Sequence, residues 1–407
     1  MISVDEAREI ILSKIDRLST EEVPILDSLG RVLDEDIISE SNIPPFDNSS
    51  MDGYAVRSED TAGAWPAGPV ELKVLGNLAA GYVPESSIGK GEAIRIMTGA
   101  QMPEGADAVV MVENTEKTNG GVLIFTPVKP GENVRFAGED IRVGEVALRR
   151  GKKITPGDIG MIASVGKARV KVVKRPKVAI ITTGDELINI DEPLAPGKIR
   201  NSNAYSIAAQ VIDTGCIPLM IGIVRDAKED LMAKVRQAIE ESADMIITTG
   251  GVSVGDYDFV KDIIKQAGEV VFWQVDMKPG KQLAFGIIKE IPVISLPGHP
   301  TSSMVSFEQF ARPALLKMSG RTDIARMTVE AVFQGPPFVN KTGRRNMLRA
   351  VVTKEDGVFK ARLSGLLQSD GLKAMALANG LMVMPEDVEE IKAGDKVTVQ
   401  LFEPITG

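Results

Sequence analysis

The residues best suited to chemistry fall into four short segments of the second half of the chain. The stretch IITTGDEL closes on Thr182, Thr183 and Gly184, with Asp185 and Glu186 directly after them. A second stretch, IITTGGVSVGDYDF, carries Gly250 and Gly251, then Ser253, Gly255, Asp256 and Asp258 ahead of a helical pattern. Glycines at such a turn let the backbone come close to a ligand, and N–H groups at a helix start favour phosphate or another oxyanion. Aspartates beside that turn could hold Mg²⁺, which takes oxygen ligands and bridges to phosphate. The third, ISLPGHPTSSMVSF, makes a rigid Pro297-Gly298-His299-Pro300 loop before a helix whose first turn offers Thr301, Ser302 and Ser303. The fourth, MKPGKQLAFG, sets Lys278 and Lys281 on either side of Pro279-Gly280, so that two ammonium groups could meet one anion.

Each segment also has a plainer reading. The first is a turn whose acids cap the next element, the second a glycine turn with aspartate caps. The lysine pair is solvated surface, and His299 an ordinary loop histidine. Taken together, however, the segments form one coherent anion pocket. Their pattern is neither G-x-x-x-x-G-K-[ST] nor G-x-G-x-x-G, so an ordinary nucleotide hydrolase or dehydrogenase is not predicted.

Composition narrows the chemistry further. The chain has one cysteine (Cys216) and one histidine (His299), which excludes a disulfide framework and a Cys/His zinc site. Catalysis is left to carboxylates, lysines, hydroxyls, backbone amides and an oxygen-ligated metal. Cys216 itself precedes an apolar strand and reads as a small buried side chain. A net charge of −9 leaves no broad basic footprint for nucleic acid. The opening MISVDEAREIILSKI is acidic and interrupted, unlike a signal peptide, and no apolar run reaches membrane-spanning length. The expectation is a cytoplasmic protein with neither nucleic acid nor membrane as partner.

The elements that must position these residues follow from periodicity. From 174 to 321, apolar strands alternate with amphipathic helices, which predicts a parallel, doubly wound α/β sheet. Ligands bind beyond the carboxyl ends of such strands, where TTGDEL, TTGGVS and LPGHP fall. The first segment reads as helical, with Ser3 and Glu6 as a capping box and Ala7, Ile10, Ile11, Ile15 and Leu18 on one face. Short β runs from about 70 to 173 predict an antiparallel domain with at most a turn at 155–165. Five β runs after 322 predict a small barrel. The fold class is thus multidomain α/β plus β. Asp47, Asn48, Asp52, Thr98, Arg135, Glu139 and Asp140 lie outside the α/β unit and by type alone are turn residues.

The segments PPFDNSSMDGYAVR, MTGAQMPEGADAVV, GEDI, TTGDEL, Asn201-Ser202-Asn203, TTGGVSVGDYDF, KPGKQLAFG and LPGHP occur in the order typical of one family. Over nearly its whole length the chain resembles the MoeA proteins and the gephyrin E domain. The resemblance implies four parts: an N-terminal helical and extended domain (1–44 and 143–173), an inserted β domain (45–142), a MogA-like molybdopterin-binding α/β domain (174–321) and a C-terminal β barrel (322–407). It implies a homodimer, with each site between the α/β domain of one subunit and the inserted domain of the other. The implied activity is that of a molybdopterin molybdenumtransferase: adenylyl-molybdopterin and molybdate, with Mg²⁺, give molybdenum cofactor and AMP. A molybdopterin adenylyltransferase upstream and molybdoenzyme apoproteins downstream are the implied partners.

By motif, the resemblance assigns Asp52 and Thr98 to the cross-subunit wall of the cleft, and Arg135 and Asp140 to the cleft around GEDI. It assigns Asp52, Thr98, Asp140, Glu186, Asp226 and Asp258 to catalysis, with Glu186 and Asp258 as metal ligands. Gly250, Gly251, Ser253, Lys278, Lys281, Pro297, Pro300 and Ser302 match substrate-binding positions, the lysines and serines being those that cradle molybdate. Arg345 and Ser369 of the barrel complete that set. His299 departs from the asparagine common in the Pro-Gly-x-Pro loop, and Asn346 and Met347 replace acidic and aromatic residues. A molybdopterin adenylyltransferase, or a scaffold that kept the fold, is the competing reading; tungstate competes with molybdate as the oxyanion.

Overall fold

The computed structural model describes residues 1–225, 227–251, 259–341, 343–365 and 371–405. Contacts divide the chain into two compact units. One comprises Met1–Glu21, Gly30–Val32 and Val172–Gly407, the other Glu22–Leu29 and Leu33–Lys171.

The first unit is built on a six-stranded sheet in the order Ile217–Val224, Lys177–Thr183, Met245–Thr249, Ile291–Leu296, Ala284–Ile288, Gly268–Trp273. Its central strand shows why the run is apolar throughout. Val178 and Ile180 enter a core closed by helices Val4–Ser13 and Ser202–Asp213 and by the helical run from Pro300 to Met318. Ala179 and Ile181 enter a second core under helices Lys228–Glu240 and Phe259–Ala267. With both faces covered, alternation of polar and apolar residues has no place. The doubly wound sheet expected from the alternating pattern is present.

The first four strands run parallel. The last two run antiparallel, because they are joined by hairpins rather than crossover helices. Between Ile288 and Ile291 only Lys289 and Glu290 intervene, both at positive φ (46° and 67°), the backbone a two-residue hairpin demands. The first helix starts at Ser3, whose hydroxyl accepts from Glu6 N–H at 3.1 Å, and it buries Val4, Ala7 and Ile11.

The C-terminal strands Arg345–Glu355, Val358–Leu363, Thr328–Phe333, Lys396–Leu401 and Gly380–Met384 close into a ring, since the first also pairs with the last. A closed ring with an odd number of strands cannot be antiparallel at every step. The parallel step is Thr328–Phe333 beside Val358–Leu363, where Val332 stands opposite Lys360. Val329, Ala331, Ala350, Val352, Met382 and Val399 fill the interior.

In the second unit, a six-stranded sheet runs Ala108–Met111, Gly53–Val56, Glu92–Ile96, Val70–Leu78, Gly121–Ile124, Thr115–Lys117. It is antiparallel as expected except at Val70–Leu78 beside Glu92–Ile96, where a long loop carries the chain back to start a parallel strand. Gly53 is required by close approach: a Cβ there would lie 1.9 Å from the Val110 carbonyl oxygen. The segment read as a turn at 155–165 is instead the helix Pro156–Ser164. Its capping box is complete, with Thr155 N–H donating to Asp158 at 2.8 Å and Asp158 N–H to the Thr155 hydroxyl at 3.4 Å. Among the described residues no helix is long and apolar enough to cross a membrane.

The sheet depends on the filled interior around Ile180. Ile180→Ala is expected to cost about 2–5 kcal/mol in the stability of this unit, the range for truncating a buried isoleucine. Denaturant unfolding followed by far-UV circular dichroism checks it; a midpoint unchanged from wild type contradicts this account of the core.

Candidate active site

The strands Lys177–Thr183, Met245–Thr249 and Ile291–Leu296 end side by side, and a cleft of about 490 Å³ opens beyond them. Its floor is backbone. Gly250 has φ of +87°, and a Cβ there would stand 2.5 Å from the Thr183 carbonyl oxygen, so two constraints require glycine. Gly250 N–H donates to the Leu296 carbonyl at 3.2 Å, tying the second strand end to the third. Gly298 lies against the other side of Gly250, its virtual Cβ 3.5 Å from the Gly250 Cα. Around this floor stand Glu186, Leu187, Ile199, Arg200, Asn203 and His299.

Two asparagines hold the walls. Asn201 caps helix Ser202–Asp213 through Ala204 N–H (3.2 Å) while its Nδ2 donates to the Thr182 hydroxyl at 2.7 Å. Asn203 Nδ2 donates to the Gly298 carbonyl at 2.7 Å. One helix start therefore grips both the first strand end and the Pro-Gly-His-Pro loop. Two buried polar atoms in this wall, Thr183 Oγ1 and Asn203 Oδ1, have no partner among the described residues.

The lysine segment docks on the same helical run. A Cβ on Gly280 (φ +106°) would lie 2.5 Å from both the Met277 methyl and the Ser306 hydroxyl, so this loop sits directly on the helix that carries Ser302. Lys278 is exposed and Lys281 half-buried, and among the described residues neither ammonium meets a carboxylate within 4.0 Å. The strand Met277–Lys278 adds itself to the barrel, Met277 opposite Arg345 and Lys278 opposite Asn346. Arg345 thus comes beside the lysine strand through its backbone. Its guanidinium is engaged elsewhere, with Asp5 at 2.8 Å and Glu386 at 3.1 Å. Those two carboxylates outweigh its partial burial and push its pKa further up.

Of the residues expected at the site, Glu186, Gly250, Gly251 and Pro300 line the cleft, and Pro297 is buried in the loop that shapes it. Ser302 lies in the first turn of the adjoining helix. Asp226, Ser253, Asp258 and Ser369 lie outside the described residues. Asp52, Thr98, Arg135 and Asp140 belong to the second unit. There Asp52 accepts from Thr98 N–H (2.7 Å) and from the Thr98 hydroxyl (2.8 Å). These bonds, the backbone one first, hold the Asp52 carboxyl below its usual range. Arg135 lies opposite Asn48 in a short antiparallel pair, Asp140 N–H donates to the Ile43 carbonyl, and Asp47 accepts from Ala137 N–H at 2.7 Å, so the DNSSMDG and GEDI loops interlock.

The reading of residue types gave no role to Asn203, Arg200, Leu187 or Ile199. The repeated asparagine in Asn201-Ser202-Asn203 was the available signal, since both amides occur at a helix start. Leu187 and Ile199 carried none, because apolar residues in a loop announce nothing until the fold aligns them.

The MoeA N-terminal region (domain I and II) matches residues 2–166, the probable molybdopterin binding domain 179–317, and the MoeA C-terminal region (domain IV) 335–402. The molybdopterin molybdenumtransferase of Bacillus subtilis (strain 168) is 38% identical over 416 residues, covering 100% of this chain and 95% of the relative. That of Haemophilus influenzae is 33% identical over 419 residues, covering both chains completely. The crystal structure of the molybdopterin biosynthesis MoeA protein from Pyrococcus horikoshii superposes with a TM-score of 0.84 at 35% identity, again over 100% of each chain. Fold and cleft therefore define a multidomain enzyme organised round a molybdopterin-binding type of α/β domain. The chain belongs to the MoeA family, transferases of molybdenum cofactor biosynthesis.

Two expectations follow. Gly250→Ala displaces the Thr183 carbonyl or the Gly250 turn, and overpacking of this kind costs about 1–3 kcal/mol; thermal unfolding with a transition equal to wild type contradicts it. Asp52 titrates below the ordinary carboxylate value of about 3.9, and Thr98→Val, which removes the hydroxyl donor, raises its pKa part of the way back. Since the folded-state pKa is the depressed one, the stabilisation is present above the unfolded pKa and is lost as pH falls through the folded one. Carboxyl-carbon NMR titration of Asp52 in the two proteins measures both.

Proposed function

We propose that this chain inserts molybdate into adenylyl-molybdopterin, releasing AMP and forming molybdenum cofactor. The observation that carries the reading is the backbone-floored cleft at the strand carboxyl ends, in a chain matched along its length by relatives named molybdopterin molybdenumtransferase. In this reading the glycine floor admits the diphosphate linkage, and Leu187 and Ile199 cover the flat pterin. Lys278, Lys281 and Ser302 hold molybdate by charge-assisted hydrogen bonds. Holding the oxyanion beside the bound pterin converts an encounter of two solutes into a reaction of neighbours. The dithiolene sulfurs that receive the metal belong to the substrate, so the absence of cysteine or histidine ligands is no obstacle.

Glu186, exposed on the cleft, suits Mg²⁺, which needs only one or two protein carboxylates and takes water and phosphate as its other ligands. Asp258 is the second proposed ligand. When bound, Mg²⁺ supplies Lewis-acid polarisation of the phosphoanhydride. The remaining assignments belong to the same proposal: a cytoplasmic homodimer, the four-part division of the chain, a catalytic role for Asp226, binding by Ser253, Arg345 and Ser369, and Asp52, Thr98, Arg135 and Asp140 as the wall lent by the partner subunit.

The test is AMP release from adenylyl-molybdopterin with Mg²⁺, with and without molybdate. Release dependent on molybdate and reduced at least tenfold in Lys278→Ala is the expected result, about the loss of one charge-assisted contact. Molybdate-independent behaviour, or an unaffected mutant, contradicts it. AMP transfer from ATP to molybdopterin instead supports the adenylyltransferase reading.

A further inference from the structure

His299 is the chain's one histidine, and it stands exposed on the cleft wall at the start of helix Pro300–Ser306. Among the described residues its imidazole has neither a hydrogen bond nor a carboxylate within 4.0 Å. Its backbone carbonyl, by contrast, is fixed by Ser303 N–H at 2.9 Å, so the ring projects from an anchored position. The neighbouring wall is also unfinished. Thr183 is 6% and Asn203 9% exposed, yet Thr183 Oγ1 and Asn203 Oδ1 lack partners among the described residues. Buried polar atoms are nearly always satisfied, so these two, a hydroxyl and an amide oxygen, are open to a ligand or to water.

We propose that His299 is a substrate-contacting residue: as the imidazolium it donates a hydrogen bond to a phosphoryl oxygen of the pterin substrate, so that affinity falls as pH rises. This rests on the function proposed above and adds to it a specificity-determining group. The other charged groups lining the cleft are Glu186 and Arg200. Arg200 Nε donates to the Ile190 carbonyl at 3.0 Å. Carboxylates of ordinary pKa complete their ionisation below the interval in which histidine changes charge. The diphosphate linkage of adenylyl-molybdopterin has no ionisation there either. Among the described side chains lining the cleft, His299 is therefore the one of the type that changes charge between pH 6 and 8. Linkage is reciprocal: if the imidazolium binds the anion, the anion must raise the imidazole pKa.

The sequence makes the experiment clean, because a protein with one histidine has one set of imidazole signals. The full-length protein is titrated by NMR with and without adenylyl-molybdopterin, molybdate and Mg²⁺ being omitted. Pterin fluorescence gives Kd at pH 6 and pH 8. The ligand is expected to raise the His299 pKa by about one unit, with binding about tenfold weaker at pH 8, the scale of one charge-assisted hydrogen bond. His299→Asn, which keeps a donor but cannot be charged, is expected to bind with no such pH dependence. An imidazole titration unchanged by bound ligand, or a pH dependence retained in His299→Asn, overturns the inference while leaving the transferase reading intact. Absence of binding by either protein overturns both.

Discussion

Everything at the cleft depends on how closely three strand ends approach one another. Gly250 lies within contact of Gly298 on one side, and on the other leaves no room for a side chain beside the Thr183 carbonyl. That approach turns the floor into main chain, which in the proposed function is what the anionic substrate meets. This matters in a chain of net charge −9, where the long-range field repels anions. Under that proposal, recognition of the anionic substrate must therefore be local. In the proposed function Lys278 and Lys281, which among the described residues have no carboxylate within 4.0 Å, supply what the overall charge cannot.

The close approach is itself maintained by side chains set back from the floor. Asn201 and Asn203 lie on a single helix start, so the hydroxyl of Thr182 and the carbonyl of Gly298 are referred to one rigid body. Gln210, two turns further on, donates to the Met304 carbonyl (3.2 Å) and to Glu308 (2.9 Å), extending the grip along the helical run from Pro300. That run then departs from α geometry at Phe307–Ala311, where Glu308 is buried and accepts from Arg326 Nε at 3.0 Å. Its buried charge is tolerable because it is met by a guanidinium and an amide together.

Strand and helix types were legible because burial writes itself into residue choice. A doubly covered strand such as Lys177–Thr183 must be apolar at consecutive positions, and barrel strands must alternate. Strand direction was less legible, since it turns on loop length: Lys289-Glu290 forces a hairpin, while the long return before Glu92 permits a parallel pair. The helix Pro156–Ser164 was obscured by two glycines and a weak apolar stripe, although Thr155, Pro156 and Asp158 spelled its start. The site was legible in part for the same reason. Glycine and proline at strand ends announce special backbone, and lysine pairs announce charge. The tasks of Asn203 and Gly280 depend on partners far along the chain, Gly298 and Ser306, and no local pattern encodes those.

The barrel is attached to the α/β domain by a device that also bears on the cleft. Met277–Lys278 leaves its own sheet to become an added strand on the barrel edge, held at Arg345 N–H by the Asp276 carbonyl at 3.3 Å and by an Asp276–Arg344 ion pair at 3.4 Å. Arg345 extends the tie to the first helix through Asp5 and to the barrel through Glu386. A lysine on a free loop would lose much of its side-chain and backbone entropy on meeting an oxyanion. Lys278 sits on a strand already ordered by barrel pairing, so the backbone part of that cost has been met by folding. In the proposed function, the barrel therefore contributes to anion binding through the backbone order it imposes on Lys278.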